Sequence, residues 1–363
     1  MANDLFAFVG TYTRLGSEGI YTLKMNGDTG ELEQVSLATG IENPSFLALD
    51  PSNEHLYAVC EIGDQDGGGA CAAFSINQTT GELTPINQKS TGGPGPCHLM
   101  VDATDSLVIA TNYAGGSVAV LPINDDGSLG ERTEFIQHEG SSINPQRQEK
   151  AHAHSVNIDD SNTHAYVCDL GMDKVFIYDI DHENRKLNPS QQPSVDEVAG
   201  QGPRHFTFHP SGKFVYVLNE LGCTITAYDL SANGGLSPIE TVGTLPDDWE
   251  GDNTTADIHT SPDGNYVYAS NRGHHSLVIY QVDSSSGRLR YVGHEQTRGE
   301  TPRNFAITPD GRFVLAENQD TGTVVTFNRK FKRSQMFTES CDTFERSNSG
   351  VLRHVIVSNS VLI

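Results

Sequence analysis

The stretch PRHFTFHPSGKFVYVLNE, residues 203–220, decides the fold. Its first part alternates apolar and polar side chains, HPSG makes a turn, and FVYVLN is β-branched and aromatic, so it reads as a β-hairpin. Five other segments align with it without gaps: PSFLALDPSNEHLYAVCE from Pro44, PCHLMVDATDSLVIATNY from Pro96, AHSVNIDDSNTHAYVCDL from Ala153, TADIHTSPDGNYVYASNR from Thr255 and PRNFAITPDGRFVLAENQ from Pro302. In chain order the six starts lie 52, 57, 50, 52 and 47 residues apart. Two further strand-like runs follow each hairpin, as in SLVIYQV then SGRLRYVGH. Four short strands in a unit of about fifty residues is the pattern of a propeller blade. Helical periodicity is essentially absent, which disfavours α-solenoids and βαβ folds.

The N-terminus begins mid-blade. LFAFVGTYT, GIYTLKMN and GELEQVSLA read as the last three strands of a unit whose first strand is missing. If the C-terminus supplies that strand, the ring closes and leaves no exposed edge. The expectation is therefore one all-β domain over residues 1–363: a seven-bladed β-propeller with four antiparallel strands per blade, its seventh blade closed by N- and C-terminal strands. Segment 328–363 is atypical, carrying six Lys/Arg against three acids, so that it is +3 where the remainder is −27. It has two readings. Either it is a divergent or frame-shifted end that damages closure, or LRHVIVSN from Leu352 is the missing strand, mimicking PRHFTFHP with Arg353 and His354 in the corresponding places.

Composition narrows the function. The formal net charge of −24 argues against nucleic acid and anionic membranes as partners. No run of eighteen apolar residues is present, and MANDLFAFVGTYT lacks a basic region followed by an apolar one. Six scattered cysteines without metal-ligand or disulfide-rich spacing point to reduced thiols and a cytoplasmic location.

Antiparallel pairing brings the start of the first strand and the end of the second to one mouth of the central funnel. The second residue of each unit is Ser45, Cys97, His154, Arg204, Ala256 or Arg303, and the third is Phe46, His98, Ser155, His205, Asp257 or Asn304. The second strands end in Cys60–Glu61, Asn112–Tyr113, Asp169–Leu170, Asn219–Glu220, Asn271–Arg272 and Asn318–Gln319. The recurrent asparagines suit capping of the strand ends. His154, Arg204, Glu220, Arg272 and Arg303 break the repeat's own pattern, and repetition alone does not explain them. Several guanidiniums in one funnel suit a small anionic substrate, and a His and a Glu supply candidate general bases. The remaining candidates for substrate contact are His98, His152, His205 and Asp257. No Walker loop, Rossmann fingerprint, nucleophile elbow or zinc spacing appears, and the His152–His154 pair lacks a third ligand, so the reading carries no cofactor and no metal.

VGTYTRLGSEGIYTLKMN, NPQRQEKAHAHSVNID, GQGPRHFTFHPSGKFVYVLNE and ADIHTSPDGNYVYASNRG closely resemble the lactonase seven-bladed propeller family, and the resemblance runs from about residue 6 to residue 327. That family includes propeller-type 6-phosphogluconolactonases and carboxy-muconate lactonising enzymes. It implies hydrolysis of 6-phosphoglucono-1,5-lactone, a step of the oxidative pentose phosphate pathway, without a metal. The family's functional His, Arg, Glu and second Arg fall on His154 in HAHS, Arg204 in GPRH, Glu220 in LNE and Arg272 in SNRG. On this reading the arginines hold the substrate and polarise its carbonyl. Glu220 or His154 takes the proton from water, and His205 orients a neighbour. A cycloisomerase acting on a carboxylated muconate, or a non-catalytic protein-binding propeller, stands as the alternative. Oligomeric state stays open between monomer and homodimer.

Overall fold

Each of the six aligned hairpins forms the two inner strands of a blade, and the two runs after it form the outer pair. The structure is a computed structural model that describes residues 5–63, 68–332, 335–338, 343–345 and 351–357, with side-chain surroundings given through Arg329. Pairing is antiparallel throughout, and in blades one to five the sheet order is sequential, as in Pro203–Phe208, Phe214–Asn219, Thr224–Leu230 and Leu236–Gly243 of blade four. In blade six two short strands, Gln335–Thr338 and Thr343–Glu345, both pair with Thr323–Lys332. One 3₁₀ turn, Thr13–Leu15, is the only helical segment among the described residues.

Closure of the ring follows the second reading of the tail. Val351–Val357 lies antiparallel to Leu5–Tyr12, from Ala7 opposite Val357 to Tyr12 opposite Val351, as the innermost strand of blade seven. The side chains of Arg353 and His354 lie outside the described residues.

Apolar layers between blades hold the ring, each built from the inward-facing positions of two neighbours. Blades four and five, for example, share Tyr216, Leu218, Ile225, Ile258, Val267 and Val278, all buried. Repeated tyrosines lock these layers. Tyr57, Tyr166 and Tyr216 donate to the carbonyls of Gly127, Gly234 and Gly287, each in the outer turn of the following blade, at 3.0, 2.8 and 3.1 Å. Gly287 has φ +69°, and a Cβ there would stand 2.5 Å from the Phe214 ring, so the turn needs glycine both for its backbone and for its approach to blade four.

One irregularity positions the site. In blades two to six the inner ladder slips near the second residue of the first strand: between Pro96 and His98, Ala153 and Ser155, Pro203 and His205, Thr255 and Ile258, and Pro302 and Asn304. Such a bulge frees one residue from the ladder and re-aims its side chain. The freed residues include Cys97, His154, Arg204 and Arg303.

Candidate active site

Strict alternation would send the second and third residues of a strand to opposite faces. The bulges remove that restriction, and side chains of both kinds meet at one mouth of the funnel. A cavity open to solvent, about 310 Å³ with its mouth included, is lined there by Tyr12, Ser45, Phe46, Glu61, Cys97, His154, Arg204, His205, Arg303 and Asn304. The asparagines that end the second strands serve the frame. Asn219 donates to Thr224 and Thr226, Asn271 to the Thr244 carbonyl, and Asn318 to the Thr297 carbonyl.

Glu220 does not line the cavity itself. It is 3% exposed and caged by three guanidiniums: Oε2 accepts from Arg204 Nε at 2.9 Å, while Oε1 takes Arg147 Nη2 at 2.6 Å and lies 3.1 Å from Arg272 Nη2. Burial works against its charge, but the arginines outweigh burial and hold the carboxyl well below the ordinary range. Arg204 also donates through Nη1 to the Ala256 carbonyl. Arg272 donates to the Thr255 carbonyl, and its Nε is buried without a partner among the described residues.

His154 Nε2 lies 4.0 Å from Glu220 Oε2. Burial, then the charges of Arg204, His205 and Arg303, push its imidazole well below the ordinary value, so it is neutral at physiological pH. Cys97 Sγ contacts the His154 carbonyl at 3.1 Å, and burial pushes its thiol up to about 12, which leaves it an inert wall. Elsewhere in the lining Glu61 Oε2 accepts from Tyr12 and Ser45, both at 2.5 Å. Arg303, also in the lining, makes no ion pair or side-chain hydrogen bond among the described residues. A third cluster adjoins the cavity through His205: His205 Nδ1 and His259 Nε2 both bond Asp257, at 2.7 and 2.8 Å.

Residues 6–343 match the family described as "Lactonase, 7-bladed beta-propeller". The chain belongs to that family. The 6-phosphogluconolactonase of Bacillus subtilis is 36% identical over 89% of this chain and 90% of its own. That of Formosa agariphila is 35% identical over 91% and 94%. A solved structure of the periplasmic gluconolactonase of Pseudomonas aeruginosa superposes with a TM-score of 0.90 at 32% identity, over 96% of this chain and 98% of that one.

Within this lactonase-family fold, the residues singled out from the sequence separate into groups. His154, Arg204, His205 and Arg303 meet in the cavity, while Glu220 and Arg272 join it through Arg204 and His154. His98 does not line the cavity but packs against Phe46 with ring centres 3.9 Å apart and the planes tilted by 32°, and Asp257 is reached through His205. His152 stands apart. It stacks on Tyr113 at 4.6 Å, with Nδ1 on the Tyr113 carbonyl and Nε2 on Glu149. Sequence reasoning missed Arg147, which reaches the site from the loop before blade three. The signal was the 57-residue interval, longest of the five, together with the PQRQ string. It also passed over Glu61 and Tyr113, although both occupy the repeat position of Glu220.

Proposed function

We propose that the lactone hydrolysed by this lactonase is a small anionic sugar lactone, 6-phospho-D-glucono-1,5-lactone, and that the product is 6-phosphogluconate for the oxidative pentose phosphate pathway. One observation carries the reading: in a chain of net charge −24, the cavity presents a guanidinium, Arg303, uncommitted to any described neighbour. A fork of N–H donors suits phosphate or carboxylate. The two curated relatives above carry the name of the same activity.

The two candidate bases have unequal prospects. Glu220 is a poor proton acceptor, because three arginines stabilise its charge. His154 is neutral and borders the cavity, and it is the base in this scheme. Water gives a proton to His154 as its oxygen bonds to the lactone carbonyl carbon. Arg303 and Arg204 hold the phosphate and the carbonyl oxygen on which charge develops. Glu220, 4.0 Å away, stabilises the imidazolium. Collapse breaks the bond to the ring oxygen, which takes the proton back from His154, and the new carboxylic acid releases its proton to solvent.

The five described cysteines are free thiols, in keeping with a cytoplasmic enzyme. Among the described residues no helix is long and apolar enough to cross a membrane. Purified protein supplied with fresh 6-phosphogluconolactone, with product followed by a coupled dehydrogenase, is expected to run far above spontaneous hydrolysis. His154→Ala is expected to lower kcat by about 10²- to 10⁴-fold. A rate no faster than the uncatalysed one would refute the substrate assignment, and full activity in the variant would refute the base.

A further inference from the structure

The scheme above leaves one buried set of titratable groups unused. Asp257, 3% exposed, receives an imidazole on each oxygen: His205 Nδ1 on Oδ1 at 2.7 Å and His259 Nε2 on Oδ2 at 2.8 Å. Asn304 Nδ2 at 2.5 Å and the backbone N–H groups of Ile258 and Phe305 complete its shell. An ionised carboxylate only accepts, so both imidazole nitrogens that face it carry hydrogen. In neutral His205 that fixes the lone pair on Nε2, and His205 is the member that lines the cavity. His259 is different, because its side chain is 40% exposed while those of His205 and Asp257 are 9% and 4%.

We propose that His259 is a positioning residue for His205: the two share one carboxylate, so the charge on His259 sets how readily His205 accepts a proton inside the cavity. The role in catalysis rests on the lactonase reading above, whereas the coupling does not. Around His205 stand Arg204 of its own strand, His98 and His154 with ring centres both 5.4 Å away, and Asp257. Around His259 stand Asp257 of its own strand, Tyr268 opposite it on the paired strand and, from blade six, the neutral Phe305, while Asn304 bonds the shared Asp257. Burial, then Arg204, lowers His205 to about 4. Burial opposes charge on His259 as well, but Asp257 outweighs it and raises its value. As pH falls, His259 is therefore protonated first, and its charge then resists a proton on His205.

Two substitutions at the exposed end separate coupling from simple stapling of blades four, five and six. His259→Gln keeps an N–H donor without charge, and His259→Lys keeps the charge. By NMR titration of the His205 ring, assigned through His205→Gln, the Gln variant is expected to raise the His205 midpoint by about one pH unit. The Lys variant is expected to leave it low. Equal midpoints in wild type and both variants would overturn the coupling. In the lactonase assay the acid limb of kcat/KM moves to higher pH in the Gln variant only. A shifted NMR midpoint with an unmoved limb would overturn the role in the reaction. An inactive wild type with a shifted midpoint would instead remove the substrate reading and leave the coupling standing.

Discussion

Glu220 and Arg303 show how two charged residues in one site differ in what they support. Glu220 joins three arginines from three separate stretches of chain, so its loss leaves guanidiniums facing one another, of which Arg204 is buried. Glu220→Gln should cost about 3 kcal/mol at neutral pH, measured by urea unfolding. The sign with pH follows from its depressed value. The stabilisation is complete above the unfolded carboxyl value of about 4.3 and is lost as pH falls through the lower folded value. Wild type and variant should therefore converge in stability in acid, and a gap that widened there would contradict the cage. Arg303 has no described partner to strand. Arg303→Gln should leave the melting temperature nearly unchanged while raising KM for the phosphorylated lactone by about 10- to 100-fold. At this scale the sequence named His154, Arg204, Glu220, Arg272 and Arg303, because each interrupts a repeat. It was silent on Arg147, whose partner Glu220 lies 73 residues away.

At the scale of elements, strands and hairpin turns were legible wherever alternation and turn chemistry agreed, and that covers blades one to six. The bulges were not. They depend on how one residue is squeezed between paired strands, and no single residue type marks the position, which holds a cysteine, a histidine and two arginines in Cys97, His154, Arg204 and Arg303. The closing strand was legible only as one of two readings, since basic residues surround it and its resemblance to PRHFTFHP is partial. Its pairing with Leu5–Tyr12 makes a prediction at this scale. Removing residues 346–363 deletes Val351–Val357 and exposes an edge strand in which Phe8, Val9 and Tyr12 are buried. An unpaired apolar edge invites pairing with other chains. The truncated protein should melt more than about 10 °C lower and self-associate on size-exclusion chromatography, because the removed strand is the innermost of blade seven and its loss opens the ring. Unchanged melting would mean that the strand closes nothing.

For the whole ring, the relevant quantity is charge rather than topology. A net charge of −24 on 363 residues sets acidic groups against one another over the surface, and the compact state carries that repulsion more heavily than the open chain. The Arg204–Glu220 pair is buried and largely insulated from ions, whereas exposed pairs such as Lys89–Glu131 are not. Screening therefore removes mostly unfavourable terms. Raising sodium chloride from about 0.01 M to about 1 M shortens the screening length from about 30 Å to about 3 Å. The melting temperature should rise by several degrees, with most of the gain complete by a few tenths molar. Potassium chloride should act like sodium chloride, because the effect is ionic strength and not a bound cation, while sucrose at matched osmolality should not reproduce its early rise. A melting temperature that fell across this range would mean that favourable surface pairs outweigh the repulsion, and that the acidic surface is not what limits the stability of the closed ring.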